Sequence, residues 1–516
     1  MVQFATIAEF RPRCRPMPIS ESGTLLQQAA TLLSHVGRSQ QDGLMSPIAT
    51  LELHADRLFP AEPGTRRLAR QLYETVAELP IISPHGHVPP QWLAEDIPFT
   101  NPTTLLITPD HYVNRLLHAH GVELSKLGVG QKSMTEEQSR EAFQILCSHW
   151  SIYRGTPVRL WLETQLADIF DVRVQPSAET SDQIYNQIAE RLGSEEFKPR
   201  ALYKRFDIEL LATTDDPCDD LSAHKFLRED DTWSGRVIPT FRPDKYLEPG
   251  LPDWNANVDR LAEVSGIDTG SYGGFIAALE NRRQFFKDQG AVSSDHSHFD
   301  ARTDSLEPSE AERIFDAARK GEVSQDEATA LRRHLVSEMA RMACDDGLVM
   351  TLHPAVLRNH HLPTFEKYGP DVGTDIPVQV EFTEALRPML VRYGTHPNFH
   401  LVIFTIDETV FSREIAPLAG FYPSVFAGVP WWFIDAPEAI RRYRAAITES
   451  AGFDKTSGFI DDTRAFCSIP ARHDMSRRLD AGFLAQLVAE HRLSEDEAVE
   501  AIHDLVVTNP RRVFKL

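Results

Sequence analysis

Cysteine is scarce in this chain and poorly arranged for chemistry. The five residues (Cys14, Cys147, Cys218, Cys344, Cys467) are odd in number, widely spaced, and no two form a C-x-x-C pair. That excludes a disulfide framework and a thiolate zinc site, and it points to a reduced, cytoplasmic setting. Long apolar runs are also missing: nothing approaches the roughly 18 consecutive apolar residues of a membrane span. The opening segment, MVQFATIAEFRPRCRPMP, has no apolar core of a secretory signal. Basic charge is outweighed, with 53 Lys and Arg against 75 Asp and Glu and a net charge of -22. A nucleic-acid backbone or an anionic membrane is therefore excluded as the main partner. A small anionic ligand would need a local group of arginines working against the global field. No repeat of fixed period and no low-complexity tract is visible.

What is present is ordinary globular material, 42% hydrophobic and 25% charged over 516 residues. That length exceeds the roughly 250–300 residues at which one core stops growing, so a large barrel with inserted or appended segments fits. Residues 1-64 read as an amino-terminal extension, with an amphipathic stretch from Leu25 to Val36 that suits a helix. In 65-87, the first barrel strand region, Leu68, Leu72 and Val76 mark a helix over Thr65–Leu79; Pro80 ends it, and Ile81-Ile82 form a short buried strand at 79-84. Residues 88-200 carry helical stripes with little β-branched alternation and read as a helical insertion.

From 201 to 516, short apolar runs alternate with helical stretches, the pattern of repeated βα units and a parallel sheet. The strands fall at 208-213, 236-240, 290-294, 347-352, 399-405, 425-431 and 457-461, and residues 480-516 read as two helices packing on the barrel. With the strand at 79-84 the count is eight. The expected fold is α/β, a distorted (β/α)8 TIM barrel whose catalytic groups gather at the carboxyl ends of the strands.

Three His-x-His pairs occur, where chance gives about one. His118 and His120 lie in a helical segment, where positions two apart diverge and cannot easily share one ion. His85 and His87 follow a strand, where positions two apart share a face and can converge on a metal. His296 and His298 follow another candidate strand and remain a possible pair. The aspartates of ATTDDPCDDL (Asp215, Asp216, Asp219, Asp220) suit a metal cluster or, equally, turn and helix caps. Arg242 and Lys245 sit past a strand end, where a guanidinium can grip a carboxylate or simply form a surface ion pair. Asp462 and Arg464, two apart at the last strand's end, can both face a barrel mouth as base and oxyanion partner; taken alone they also read as a salt bridge.

Together, HGH (85-87), DHYVNR (110-115), TTDDPCDDL (213-221), PTFRPDK (239-245), SDH (294-296), LHPAVLRN (352-359), YGPDVGTD (368-375), WWF (431-433), DTRAF (462-466) and RHDMSRR (472-478) resemble, in order, the uronate isomerase family of the amidohydrolase superfamily. The likeness runs from about residue 75 to the end. It implies a distorted (β/α)8 barrel with a helical insertion after the first strand, and the isomerisation of a hexuronate, glucuronate or galacturonate, to the matching keto acid. It further implies His85, His87, His353 and Asp462 as ligands of a divalent metal, for which zinc suits imidazole and carboxylate. Asp462, Arg464 and Tyr112 match catalytic positions, and Arg242, Arg358, His296 and Trp431 match residues of the substrate pocket. The expected partners are a small sugar acid and further copies of the chain in a homo-oligomer. The departures are the amino-terminal extension, Ser297 in place of glycine after His296, and the stretch 405-424. Competing readings are an isomerase or epimerase of another sugar acid, a metal-dependent hydrolase of the superfamily, and a catalytically dead binding protein; the fourth strand, GAVSSDHSH, offers no bridging lysine for a binuclear hydrolase centre.

Overall fold

The computed structural model describes residues 49–516; the amphipathic stretch at 25–36 and Cys14 lie outside them. Chain order begins with a helix over Pro63–Glu74, started by Pro63 and by the Glu62 carboxylate, which accepts the Gly64 and Thr65 N–H groups at 2.9 and 2.6 Å. It ends before the expected Leu79, where the Thr75 hydroxyl turns back on the Leu72 carbonyl at 2.7 Å.

Seven strands pair in parallel in two sheets. The first joins β1 (Ile81–Ser83), β2 (Ile208–Ala212) and β3 (Arg236–Ile238) in that order. The second joins β4 (Ser293–His296), β5 (Val349–Leu352), β8 (Leu401–Ile403) and β9 (Val425–Ala427). Both faces are apolar, as parallel sheets require: Ile82, Leu210, Ala212 and Ile238 form one cluster, while Ile81, Ile208, Leu211 and Val237 pack into the main core. Phe241, just beyond β3, bridges in parallel to both Asp215 and Ser294 and so carries the ladder from one sheet to the other. At the far edge Ala427 bridges Thr456, and the His87 N–H donates to the Thr463 carbonyl at 3.0 Å, bringing the last segment beside the first.

The eighth strand expected at 457-461 does not form, and the described residues make no continuous closed ladder. Gly458 has φ +72°, and a Cβ there would lie 2.4 Å from the Pro510 ring, so the chain bends around the carboxy-terminal segment instead of running extended. Two further strands were not expected: β6 (Val356–Leu357) and β7 (Ile376–Pro377) pair antiparallel beyond the carboxyl end of β5.

Between β1 and β2, from Pro90 to Arg205, the chain forms helices joined by loops, and its one β contact is the isolated bridge of Val174 to Thr50. After β9 come a helix over Pro437–Ala451 and a 21-residue helix, Ile469–Ala489, packed on Pro63–Glu74; within 480-516, beyond the end of that long helix, lie two shorter ones, Glu495–His503 and Asn509–Phe514. The long helix buries Arg472, His473, Arg477 and Asp480, which become ties rather than surface charges. Among the described residues no helix is long and apolar enough to cross a membrane.

Candidate active site

A cavity of about 640 Å³ opens at the carboxyl ends of the strands, within the size range of small-molecule sites. His85 and His87 enter it from the turn after β1, their rings 5.4 Å apart and nearly perpendicular. Asp462 reaches the same point, its Oδ1 lying 3.0 Å from His87 Nε2 and 3.4 Å from His85 Nε2. His353 follows β5, stacked between His85 at 4.8 Å and Phe404 at 4.2 Å, with its Nε2 3.9 Å from Asp462 Oδ2. Asp462 and Arg464 do share the cavity, but not by strand alternation. Asp462 has φ +43° and the segment is irregular, so a left-handed backbone turn of the chain at that one residue aims the carboxylate. The neighbour Asp461 is fully buried and accepts a hydrogen bond from His473 Nε2 at 3.1 Å.

These groups suit a metal ion. One atom each of His85, His353 and Asp462 lies within 4.8 Å of the others, with His87 beside Asp462. Asp462 Oδ1 and His353 Nε2 are buried without a hydrogen-bond partner, donor atoms that a cation would satisfy. His353 Nδ1 donates to Asp295 Oδ1 at 2.6 Å; a carboxylate only accepts, so the proton sits on Nδ1 and the Nε2 lone pair faces the cavity. Burial alone would raise the Asp462 carboxyl, yet His85 and His87 hold it well below the usual range. Burial likewise opposes ionisation of Asp295, and His353, His85 and Arg242 outweigh it.

The walls are cationic and aromatic. Arg242 gives Nε to Asp244 at 2.9 Å and places Nη1 3.4 Å from Asp295. Arg358 donates to Asp375 and to the Ser297 hydroxyl, both at 2.9 Å, with its guanidinium 5.4 Å from the Trp432 ring. Arg464 lies 3.5 Å from Asp371. Trp431 sets its ring edge-on to His353 at 4.8 Å. The Tyr112 hydroxyl donates to Asp435 at 2.9 Å, and burial together with that carboxylate pushes the phenol well above its ordinary value. Asp435 is tied at 2.7 Å to Arg472, whose guanidinium stacks on Trp161 at 3.7 Å and on Tyr112 at 5.0 Å. His111, beside Tyr112, is pushed down to about 3 by burial and by Arg464.

One expected pocket residue is placed elsewhere. His296 is fully buried and does not line the cavity; Asp295, one position earlier on β4, does. Successive strand residues face opposite sides, so the SDH motif can present only one of the two, and here it presents the aspartate. Asp295, His111, Asp371, Asp375, Asp435 and Arg472 were not singled out from the sequence, although all but Arg472 line the cavity. The aspartates of 215–220 act as turn and cap groups: Asp216 accepts the Cys218 N–H and Asp220 that of Ser222, both at 2.9 Å, and Asp215 takes the Thr213 hydroxyl at 2.6 Å. Lys245 forms an ion pair with Asp216 at 2.7 Å.

Imidazoles and a carboxylate at the ends of parallel strands, under walls bearing three guanidiniums, define an α/β enzyme with a metal-capable centre. A family model described as glucuronate isomerase matches residues 64–514, and the chain belongs to that family. A uronate isomerase of Cutibacterium acnes is 56% identical over 467 residues, covering 90% of this chain and 99% of the relative. The crystal structure of a glucuronate isomerase from Caulobacter crescentus superimposes with a TM-score of 0.88 at 44% identity, over 90% of this chain and 97% of the other. A uronate isomerase structure from Thermotoga maritima gives 0.84 at 26% identity, over 90% and 99%.

Proposed function

We propose that the chain interconverts the aldose and ketose forms of hexuronates, glucuronate to fructuronate and galacturonate to tagaturonate, by proton transfer through an enediolate. Family membership supports an aldose–ketose isomerase of hexuronates. The observation that carries the reading is the meeting of Asp462 with three histidines on the floor of a cavity walled by Arg242, Arg358 and Arg464. We take the scaffold as a distorted (β/α)8 barrel, its eighth position filled by the irregular segment after Thr456.

Each residue has a task matched to its setting. Arg242 and Arg358 hold the substrate carboxylate, which replaces part of their present pairing with carboxylates of the chain. Asp462, held ionised, is placed to take the proton from the carbon next to the carbonyl. Tyr112, kept protonated by burial and Asp435, donates to a substrate oxygen. Arg464 opposes the negative charge that develops on the enediolate oxygens. Trp431 closes the wall against water. His85, His87, His353 and Asp462 are the residues that would hold a divalent metal, with zinc suited to the donor set, and the ion would supply polarisation of a substrate oxygen. His296 supports from behind the wall. The setting we infer is cytoplasmic and the assembly homo-oligomeric.

Proton NMR of glucuronate and galacturonate in D2O with the purified, metal-loaded protein tests the reading. Keto-acid signals and loss of the proton next to the carbonyl are expected; unchanged spectra with both sugars would refute it.

A further inference from the structure

A second cluster of ligand atoms, sharing no residue with the one at Asp462, lies beside Arg242, and its Asp244 also lines the cavity. One atom each of Asp244, His296 and His298 falls within 4.8 Å of the other two. His296 is fully buried and His298 is 5% exposed. Each ring has one nitrogen committed and one without a partner. His298 Nδ1 meets Glu248 Oε1 at 2.7 Å. The carboxylate can only accept, so Nδ1 carries a proton and Nε2 is the nitrogen left for a cation or a second proton. That nitrogen faces Asp244 Oδ1 at 3.6 Å. His296 Nε2 meets the Ser294 hydroxyl at 3.2 Å, which leaves Nδ1. Both His296 Nδ1 and His298 Nε2 are buried with no hydrogen-bond partner.

Two acceptors facing one another in a buried space repel unless a cation or a proton lies between them. With metal–ligand bonds of about 2.0–2.1 Å, ligands of a tetrahedral zinc ion stand roughly 3.3 Å apart, close to the 3.6 Å between His298 Nε2 and Asp244 Oδ1. The two oxygens of Asp244 have divided roles that leave room for this. Oδ2 takes the Arg242 Nε, while the Ser297 N–H spans both oxygens at 3.1 and 3.2 Å. Behind His298, Glu248 plays the part that carboxylates commonly play for ligand histidines, fixing the tautomer. Arg332 stands 3.9 Å from Glu248 and is itself held by Asp300 at 2.6 Å.

We infer that Asp244, His296 and His298 form a second divalent-metal site for a transition ion of the zinc class, one that shares no ligand with the centre at Asp462. Two imidazoles and one carboxylate leave at least one coordination position for water.

Metal-free full-length protein, titrated with Zn2+ and analysed by equilibrium dialysis with elemental quantification, decides the matter. The wild-type chain should bind two equivalents. A His85→Gln/His87→Gln variant should keep one, and adding His298→Gln to it should remove that one, with circular dichroism confirming the fold in each case. A wild-type chain that saturates at one equivalent overturns the inference without any variant. So does a folded triple variant that binds as much zinc as the double.

Discussion

On the floor of the cavity His353 and Asp295 sit at the ends of laddered strands and hold one another at 2.6 Å. On the rim, Arg358, Asp371, Asp375 and Arg464 sit on segments outside the two parallel sheets. That part of the floor is set by backbone pairing before any ligand arrives. The rim is set by ion pairs that a substrate carboxylate can enter. The difference teaches that metal-capable geometry and anion recognition have separate structural origins: disturbing one need not disturb the other.

The largest expected effect breaks the floor. Asp462→Asn should lower turnover by about 10²–10⁴-fold, the usual range for a proton-transferring group, and abolish solvent-proton exchange. Asp461→Asn, next in the chain but turned to His473, should keep most of the activity and lose about 1–3 kcal/mol of stability in denaturant unfolding, as a buried partner is weakened. If Asp461→Asn is the inactive variant, the floor is built on the other carboxylate.

A rim change should be milder and of another kind. Arg358→Met should raise KM by roughly 10–100-fold, the worth of a charge-assisted hydrogen bond of about 1.5–3 kcal/mol, with kcat changed less. Arg242→Met should do the same and also loosen Asp295, so a fall in kcat beyond that of Arg358→Met sharpens the distinction. Equal kcat losses in both would erase it.

The smallest effect on turnover is expected at Asp215, outside the cavity lining, where burial pushes the carboxyl up to about 7 from an ordinary 3.8. The native state therefore holds this proton more tightly than the unfolded chain. Its contribution to stability is full below about pH 4 and is lost as the pH rises through about 7. Between pH 5 and 8 the wild-type Tm should fall relative to that of Asp215→Asn, by a few degrees at most in a chain of this length. Parallel Tm curves would show that Asp215 does not carry this proton.

Much of the floor was legible because it follows local rules. His85 and His87 come soon after the apolar pair Ile81-Ile82, with Pro80 before it, and six of the seven parallel strands lie inside the expected runs, β4 overrunning its own by two residues. What the sequence hid were tertiary effects. Gly458 reads as strand until Pro510, some fifty residues on in the chain, is found against it. His296 and Asp295 differ by one position, and only the register of β4 on β5 decides which one the cavity sees. Arg472 stood in a recognisable motif and Asp435 just beyond one, but their bond at 2.7 Å spans 37 positions and has no local signature. The helical insertion was readable as helix, while its use as a platform, with Trp161 under the Arg472 guanidinium, was not.

The buried face of the helix Ile469–Ala489 has a consequence for how the chain comes into being. Arg477 donates to the carbonyls of Ala77, Leu79 and Pro80, contacts that span about 400 positions. The turn bearing His85 and His87 also waits for Asp462. A ribosome must therefore release nearly the whole polypeptide before the residues flanking the first strand find their partners. Contacts of such sequence separation form late and slowly, so the segments flanking β1 wait for them after β2 has already paired with the strand. Nascent chains cut short before this helix should bind no metal at the floor.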